Sequence, residues 1–303
     1  MQHFTDAMID GLLDAGAAQS ALASAFRSFG QGSGAMQPRV RTQAGGVKLS
    51  TLGAVLPDQG YVGAKVYTTI EGQFNFVILL FSATDGKVLA SFDAAAITRL
   101  RTAACSVIAA SHLARKDASR LALFGLGVQG REHAIQLAAA YPLREIRVCD
   151  PYASDQAAQE LERACGLEVK RCAGAAAVEG ADIVVTASRS RTPLFDGRQV
   201  ADGTFVAAIG SSLPDTRELD DVVLERAALV AVDWKPQTMA EAGDIVLADA
   251  AALPPQKIVE LADLVTGRVQ GRRDDAAVTI YKAVGVGLQD VALAGLAWER
   301  HLG

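Results

Sequence analysis

The chain reads as an α/β protein in which a doubly wound parallel sheet is inserted into a second, mixed α/β domain. Three observations predict this. From residue 121 onward, short apolar runs at 121–124, 146–149, 182–186, 205–209 and 229–232 alternate with helical patterns, the rhythm of parallel strands joined by crossover helices. The first run, Leu121-Ala-Leu-Phe124, opens into Gly125-Leu-Gly127-Val128-Gln129-Gly130 and a helix-like stretch, 131–141. Ahead of it, strand-like pieces and a hairpin signal mark a different domain, to which the chain returns near its end. The expected boundaries are residues 1–115 plus 276–303 for the outer domain and 116–275 for the inserted one.

Taken in order, the first thirty residues predict two helices. Phe4, Met8, Ile9, Leu12 and Leu13 carry the first, Leu22, Ala25, Phe26 and Phe29 the second, with the break near Gly16. Gly30-Gln-Gly-Ser-Gly34 is a flexible break. Strands follow around 62–67, 76–81 and 88–92, the last two joined through the Asp85-Gly86 turn. A helix is expected over 98–115, on Ala103, Ala104, Val107, Ile108 and Leu113. After residue 275, a strand at 278–281 and a helix over 287–300 are read as the return to the outer domain.

The glycine turn carries a chemical expectation. Gly125 allows a tight turn, Gly127 lets the backbone approach a pyrophosphate, and Gly130 lets the helix pack closely on its strand. The N–H groups and dipole of a helix starting near Val128 and Gln129 suit an anion. The second apolar run ends on Asp150, about 20 residues past the last glycine, where a carboxylate accepts from a ribose 2′-OH. This is the fingerprint of a Rossmann-type dinucleotide site. The carboxylate favours NAD over NADP, because it repels a 2′-phosphate; NADP stays possible given Arg131 and Arg147 nearby in sequence. Thr186, closing the third run, and Ser188, just beyond it, are placed on the adenosine side of the cleft or as loop caps.

Composition excludes other classes. Half of the 303 residues are hydrophobic and 21% are charged, and the formal net charge is −5, which argues against nucleic-acid and membrane-surface partners. No apolar run reaches membrane-spanning length, and the first residues lack a secretory pattern. Cys105, Cys149, Cys165 and Cys172 show no metal spacing, so no metal site is expected, and they suit the reduced core of a cytoplasmic protein. His3, His112, His133 and His301 fall in no relay pattern.

Four ordered motifs then become specific. They are Ile97-Thr-Arg-Leu-Arg101-Thr102-Ala-Ala, the glycine turn, Ile209-Gly-Ser-Ser212-Leu-Pro214-Asp-Thr-Arg-Glu218-Leu-Asp220, and Thr279-Ile-Tyr-Lys282-Ala-Val-Gly285. Together they resemble the ornithine cyclodeaminase/mu-crystallin family across nearly the whole chain. The resemblance implies a Rossmann domain inserted into a substrate-binding and dimerisation domain, a homodimer, and hydride chemistry on small amino or imino acids. It also implies that Arg101 binds the substrate carboxylate, with Thr102 adding a hydroxyl contact or a helix bond. Lys65, in Gly63-Ala-Lys65-Val, matches the family lysine beside the substrate; a buried ammonium of lowered pKa suits proton transfer. For a further family arginine, Gln37-Pro38-Arg39-Val40-Arg41 offers Arg39 and Arg41, of which only one is expected to face the pocket, with Arg39 favoured.

The informative departure is Ser212, which stands where the cyclodeaminases and the alanine dehydrogenase of the family carry an aspartate as general base. Serine is a poor base without a helper, whereas reducing an existing C=N bond needs a held carboxylate, a protonated nitrogen and a nearby hydride. Asp215, three residues on, is more simply a turn or cap residue than a substitute base. The expectation is a reductase of cyclic ketimine or imino acids of the pyrroline- or piperideine-2-carboxylate type. An ornithine cyclodeaminase or alanine-type dehydrogenase is the enzymatic rival, and a non-catalytic cofactor-binding crystallin-like protein is the rival of another class.

Overall fold

The computed structural model describes residues 1–303. The chain divides into two compact units, Met1–Ala104 with Gly285–Gly303, and Cys105–Val284.

The first unit holds a six-stranded sheet made of β1 (Gln2–Phe4), β2 (Ala35–Ala44), β3 (Val47–Leu56), β4 (Tyr61–Ile70), β5 (Gln73–Ser82) and β6 (Val88–Asp93). Its order is β1-β6-β5-β4-β3-β2; β1 runs parallel to β6, and the other pairs are antiparallel. Side chains alternate along these strands, so the sheet has two unlike faces. One face, with Leu52, Ile78, Leu80 and Phe92 buried, packs with helix α2 (Ala15–Gly30) and the C-terminal helix Gly287–Leu302. The opposite face leaves Val40, Leu49, Val55, Ile70 and Val88 exposed. Helix α3 (Ala95–Leu113) begins in this unit and ends in the second.

The second unit is built on eight strands, all parallel: β7 (Arg120–Phe124), β8 (Glu145–Cys149), β9 (Glu168–Arg171), β10 (Ile183–Thr186), β11 (Phe205–Ala208), β12 (Ala227–Val232), β13 (Ile258–Glu260) and β14 (Val278–Lys282). The order β13-β12-β14-β11-β10-β7-β8-β9 winds outward in both directions from the β7–β10 pair. The central strands are covered on both faces and read as continuous apolar runs: β10 and β11 are buried at every residue.

Several elements differ from the sequence-based expectation. Phe4 ends a strand, where its ring stacks on Phe92 at 4.8 Å, and does not belong to the first helix. The break between α1 (Asp6–Leu12) and α2 falls at Leu13–Asp14 rather than Gly16, because the Asp14 carboxylate accepts from Ala17 N at 2.8 Å and caps α2. The strand at 278–282 is no return to the outer domain: β14 pairs with β11 and β12 inside the parallel sheet, and the chain rejoins the first unit only at Gly285.

Candidate active site

In the second unit, β7 delivers the chain to Gly125, whose φ of +95° is open to glycine and strained for other residues. A Cβ there would also lie 2.7 Å from Ala187 O, so the turn after β7 sits against the turn after β10, where the strand order reverses. A Cβ on Gly130 would fall 1.9 Å from Gly125 O, which fixes the close approach of helix α4 (Val128–Ala140) to the turn. A Cβ on Gly127 meets nothing within 4 Å. Gly127 is the N-cap of α4 and has no side chain to cap it; Val128 follows, 67% exposed, with Gln129 behind it. The helix thus presents an open N-terminal end suited to a phosphate, and these residues fit a dinucleotide. Asp150, just past β8, accepts from Leu126 N at 2.7 Å on one oxygen and from Tyr152 N at 2.8 Å on the other. Each oxygen keeps a second acceptor position for a ribose hydroxyl. The carboxylate also ties the glycine turn to the end of β8.

Thr186 and Ser188 do not both line an open surface. Thr186 is fully buried and its hydroxyl donates to Glu218 Oε2 at 2.8 Å, so its role is internal. Ser188 donates through both its N–H and its hydroxyl to Glu218 Oε1 at 2.7 Å. Glu218 Oε2 also accepts from Gly210 N at 2.8 Å and Ser211 N at 3.3 Å. One buried carboxylate therefore holds the loops after β10 and β11. Behind it, Asp244 accepts from Glu218 N and Leu219 N, and its second oxygen lies 2.8 Å from Lys282 Nζ in a buried ion pair at the end of β14. Asp233 binds the Tyr281 hydroxyl and accepts from Val284 N at 2.8 Å. Glu218 and Lys282 stand in the quoted motifs, and neither is among the site residues expected from the sequence. The signal that could have found Glu218 is an acid placed in an otherwise apolar, loop-forming segment.

Ser212 sits half-buried in the loop after β11. Asp215, on the same loop, is exposed and paired with Arg191. Its carboxylate is thus a surface charge, in keeping with a turn residue.

The first unit gathers a separate cluster. Lys65, on β4, is 3% exposed; its ammonium donates to Thr98 Oγ1, lies 3.4 Å from Asp290 Oδ1 and stands 4.4 Å above the Phe76 ring. Arg101, on α3, is 8% exposed; it donates from Nη1 to Gln289 Oε1 at 2.9 Å and keeps Nε 3.5 Å from Asp290 Oδ1. Arg39 donates to Gly285 O at 2.8 Å. Thr102 turns its hydroxyl back to Thr98 O at 2.6 Å, which is a helix bond. Burial lowers the Lys65 ammonium to about 8; Asp290 opposes the shift, and the Arg101 and Arg39 charges add to it.

Arg39, the favoured one of the two arginines, is the one whose charge acts on Lys65. Residues two apart on a regular strand share a face. Arg41 pairs with Ser50, in the row of Tyr67, while Arg39 falls in the irregular step between Gln37 and Val40, opposite Leu52 in the row of Lys65.

The family model for the ornithine cyclodeaminase/mu-crystallin family matches residues 1–303. The chain is 30% identical over 292 residues to the ketimine reductase mu-crystallin of Rattus norvegicus, covering 92% of this chain and 90% of that protein. A probable ornithine cyclodeaminase from Bordetella pertussis Tohama I superposes with a TM-score of 0.98 at 58% identity, over 99% of this chain and 97% of the other. The Thermococcus litoralis Delta(1)-pyrroline-2-carboxylate reductase, solved in complex with NADH and L-proline, superposes with a TM-score of 0.92 at 26% identity, over 100% and 98% of the two chains. The chain belongs to the ornithine cyclodeaminase/mu-crystallin family.

Proposed function

We propose that the protein is an NAD(H)-dependent oxidoreductase that reduces small cyclic ketimine or imino acids, of the pyrroline- or piperideine-2-carboxylate type. The observation that carries this reading is the pairing of Lys65 and Arg101 with the buried acid Asp290, with Arg39 near enough for its charge to act on Lys65. Such a site has more positive than negative charge to offer a carboxylate, and it holds an ammonium that exchanges its proton near neutral pH. When bound, the cofactor supplies the hydride. Gly125, Gly127, Gly130 and the first turn of α4 hold its pyrophosphate, Asp150 takes the ribose, and Glu218 fixes the two loops next to the glycine turn through Ser188 and Gly210. Arg101, with Arg39, clamps the substrate carboxylate by charge-assisted bonds, and Lys65, directly or through water, delivers the proton to the ring nitrogen.

Ornithine cyclodeamination is the second reading, favoured by the likeness to the Bordetella protein and opposed by Ser212. An alanine-type dehydrogenase shares the same objection. A non-catalytic cofactor-binding role would leave Lys65 and Arg101 without a task. The deciding measurement is a substrate panel of cyclic ketimines, ornithine and alanine, followed by NAD(P)H absorbance and ammonia release, beside NADH fluorescence quenching. Ketimine turnover with little ammonia supports the proposal. NADH binding with no turnover on any member would establish the carrier reading instead. Arg101→Ala serves as the control: it should lose on the order of 10²-fold in efficiency while NADH binding stays near normal.

The apolar outer face of the six-stranded sheet supports a homodimer. Val40, Leu49, Val55, Ile70 and Val88 form a contiguous face of the kind that monomers seldom leave uncovered. Light scattering should return twice the 31.6 kDa chain mass.

A further inference from the structure

We propose that Asp290 is a positioning residue of the substrate site: its carboxylate holds the Lys65 ammonium and the Arg101 guanidinium in their working geometry and supplies their shared counter-charge. The proposal rests on the reading of Lys65 as the proton source and deepens it.

Asp290 is fully buried in the C-terminal helix among Leu288, Val291, Leu293 and Ala294, each 0% exposed. An anion in such surroundings is expensive unless it is paired. Its pairing is uneven. Oδ1 stands between Lys65 Nζ at 3.4 Å and Arg101 Nε at 3.5 Å, while Oδ2 is buried without a hydrogen-bond partner. A carboxylate kept for stability alone would be expected to use both oxygens. This one is centred between the two side chains that meet the substrate. The preceding residue reinforces the arrangement, since Gln289 Oε1 accepts from Arg101 Nη1 at 2.9 Å and ties the guanidinium to the same helix turn. Charged groups reach Lys65 from three elements: Asp290 from the C-terminal helix, Arg101 from α3 and Arg39 from β2. Asp290 is the acid among these, so removing it leaves three cations repelling one another around a buried ammonium.

The sign of the effect follows. The anion favours the charged form of Lys65, and burial with the two arginines disfavours it. Replacing Asp290 by asparagine keeps the shape and removes the charge, so Lys65 should lose its proton at lower pH, by about one to three units. If protonated Lys65 is the acid in imine reduction, the alkaline fall of kcat should move down by the same amount, and Asp290→Glu should restore it. A stabilising residue with no part at the substrate site would lower the melting temperature and leave the alkaline fall of kcat in place.

The test reads Lys65 directly and does not depend on turnover. Protein carrying ¹³Cε-lysine is titrated by NMR, the Lys65 signal being assigned with Lys65→Met, and kcat for ketimine reduction is measured over the same pH range. A lowered Lys65 midpoint in Asp290→Asn, recovered in Asp290→Glu, supports the proposal; an unchanged midpoint overturns it. A midpoint that moves in a protein reducing no ketimine would uphold the positioning role and refute the reductase reading. Should Asp290→Asn prove too unstable to purify, the double variant Lys65→Met/Asp290→Asn decides. Recovery of folding supports a shared counter-charge, and failure to recover overturns it.

Discussion

The buried hydroxyl of Thr186 donates to Glu218 Oε2 at 2.8 Å, and through that carboxylate the end of β10 is joined to the loop after β11. Both oxygens of Glu218 are filled by N–H and O–H donors from Thr186, Ser188, Gly210 and Ser211. Glu218→Gln would aim an amide N–H at groups that themselves donate. The expected loss is at least about 1.5–3 kcal/mol of stability, with weaker NADH binding, because bonds to a charged acceptor are replaced by unsatisfied buried donors. Denaturant melts and NADH titration check this; a variant as stable as the wild type would remove Glu218 as the organiser of these loops.

Gly127 and Gly130 should respond oppositely to alanine. At Gly127 the new methyl group meets no protein atom within 4 Å, so the melting temperature should hold, while NADH binding weakens about tenfold or more as the methyl group enters the space of the pyrophosphate. At Gly130 the methyl group would sit 1.9 Å from Gly125 O, so the turn itself must give and stability should fall. Equal NADH affinity for Gly127→Ala and the wild type would move the pyrophosphate elsewhere.

Asp150→Ala should narrow the preference for NADH over NADPH, since the charge opposing a 2′-phosphate is gone. The structure adds a second effect. Leu126 N and Tyr152 N lose their acceptor, so NADH affinity should drop as well. Kinetics with both cofactors separate the two effects, because loss of the turn weakens both cofactors and loss of the charge changes their ratio. A wild type equally efficient with NADPH would sink the expected preference.

Ser212→Asp should restore a base where the chain departs from the cyclodeaminases. An anion near the substrate nitrogen raises the pKa of a neighbouring amine and offers proton removal. The expected outcome is a gain in amine oxidation or ammonia release from ornithine, with slower ketimine reduction. Ammonia release by the wild type at a rate comparable with reduction would show that Ser212 does not exclude cyclodeamination. Asp215 would be a poor substitute, since it is exposed and paired with Arg191.

The parallel sheet was legible because β7, β10 and β11 are buried on both faces and leave unbroken apolar runs. The edge strands were not. β9 is Glu-Val-Lys-Arg and β13 is three residues long, so neither shows a period against its surroundings. Phe4 mimicked a helical partner of Met8, four residues on, and only its stacking on Phe92 reveals the strand. Among the candidate site residues, the glycines, Asp150, Lys65 and Arg101 stand in recognisable local patterns. Asp290 and Glu218 do not. Their partners lie far off in sequence: Lys65 is 225 residues from Asp290, and Thr186 is 32 from Glu218. A buried acid inside an apolar helix looks, in sequence, like any polar position on its surface.

The position of β14 sets an order on folding. It lies between β11 and β12, so the middle of the parallel sheet is filled by residues 278–282, synthesised after every other strand of that sheet. Until those residues emerge, β12 and β13 have no neighbour joining them to β11, and the strands already made cannot close into one sheet. The C-terminal helix that packs on β3 and β4 arrives later still. Both units therefore wait for the last tenth or so of the chain, and the pairing that completes the second is among its most distant in sequence. A nascent chain released short of Val278 is left with two unfinished cores and exposed strand edges, a natural substrate for chaperones rather than a smaller working protein.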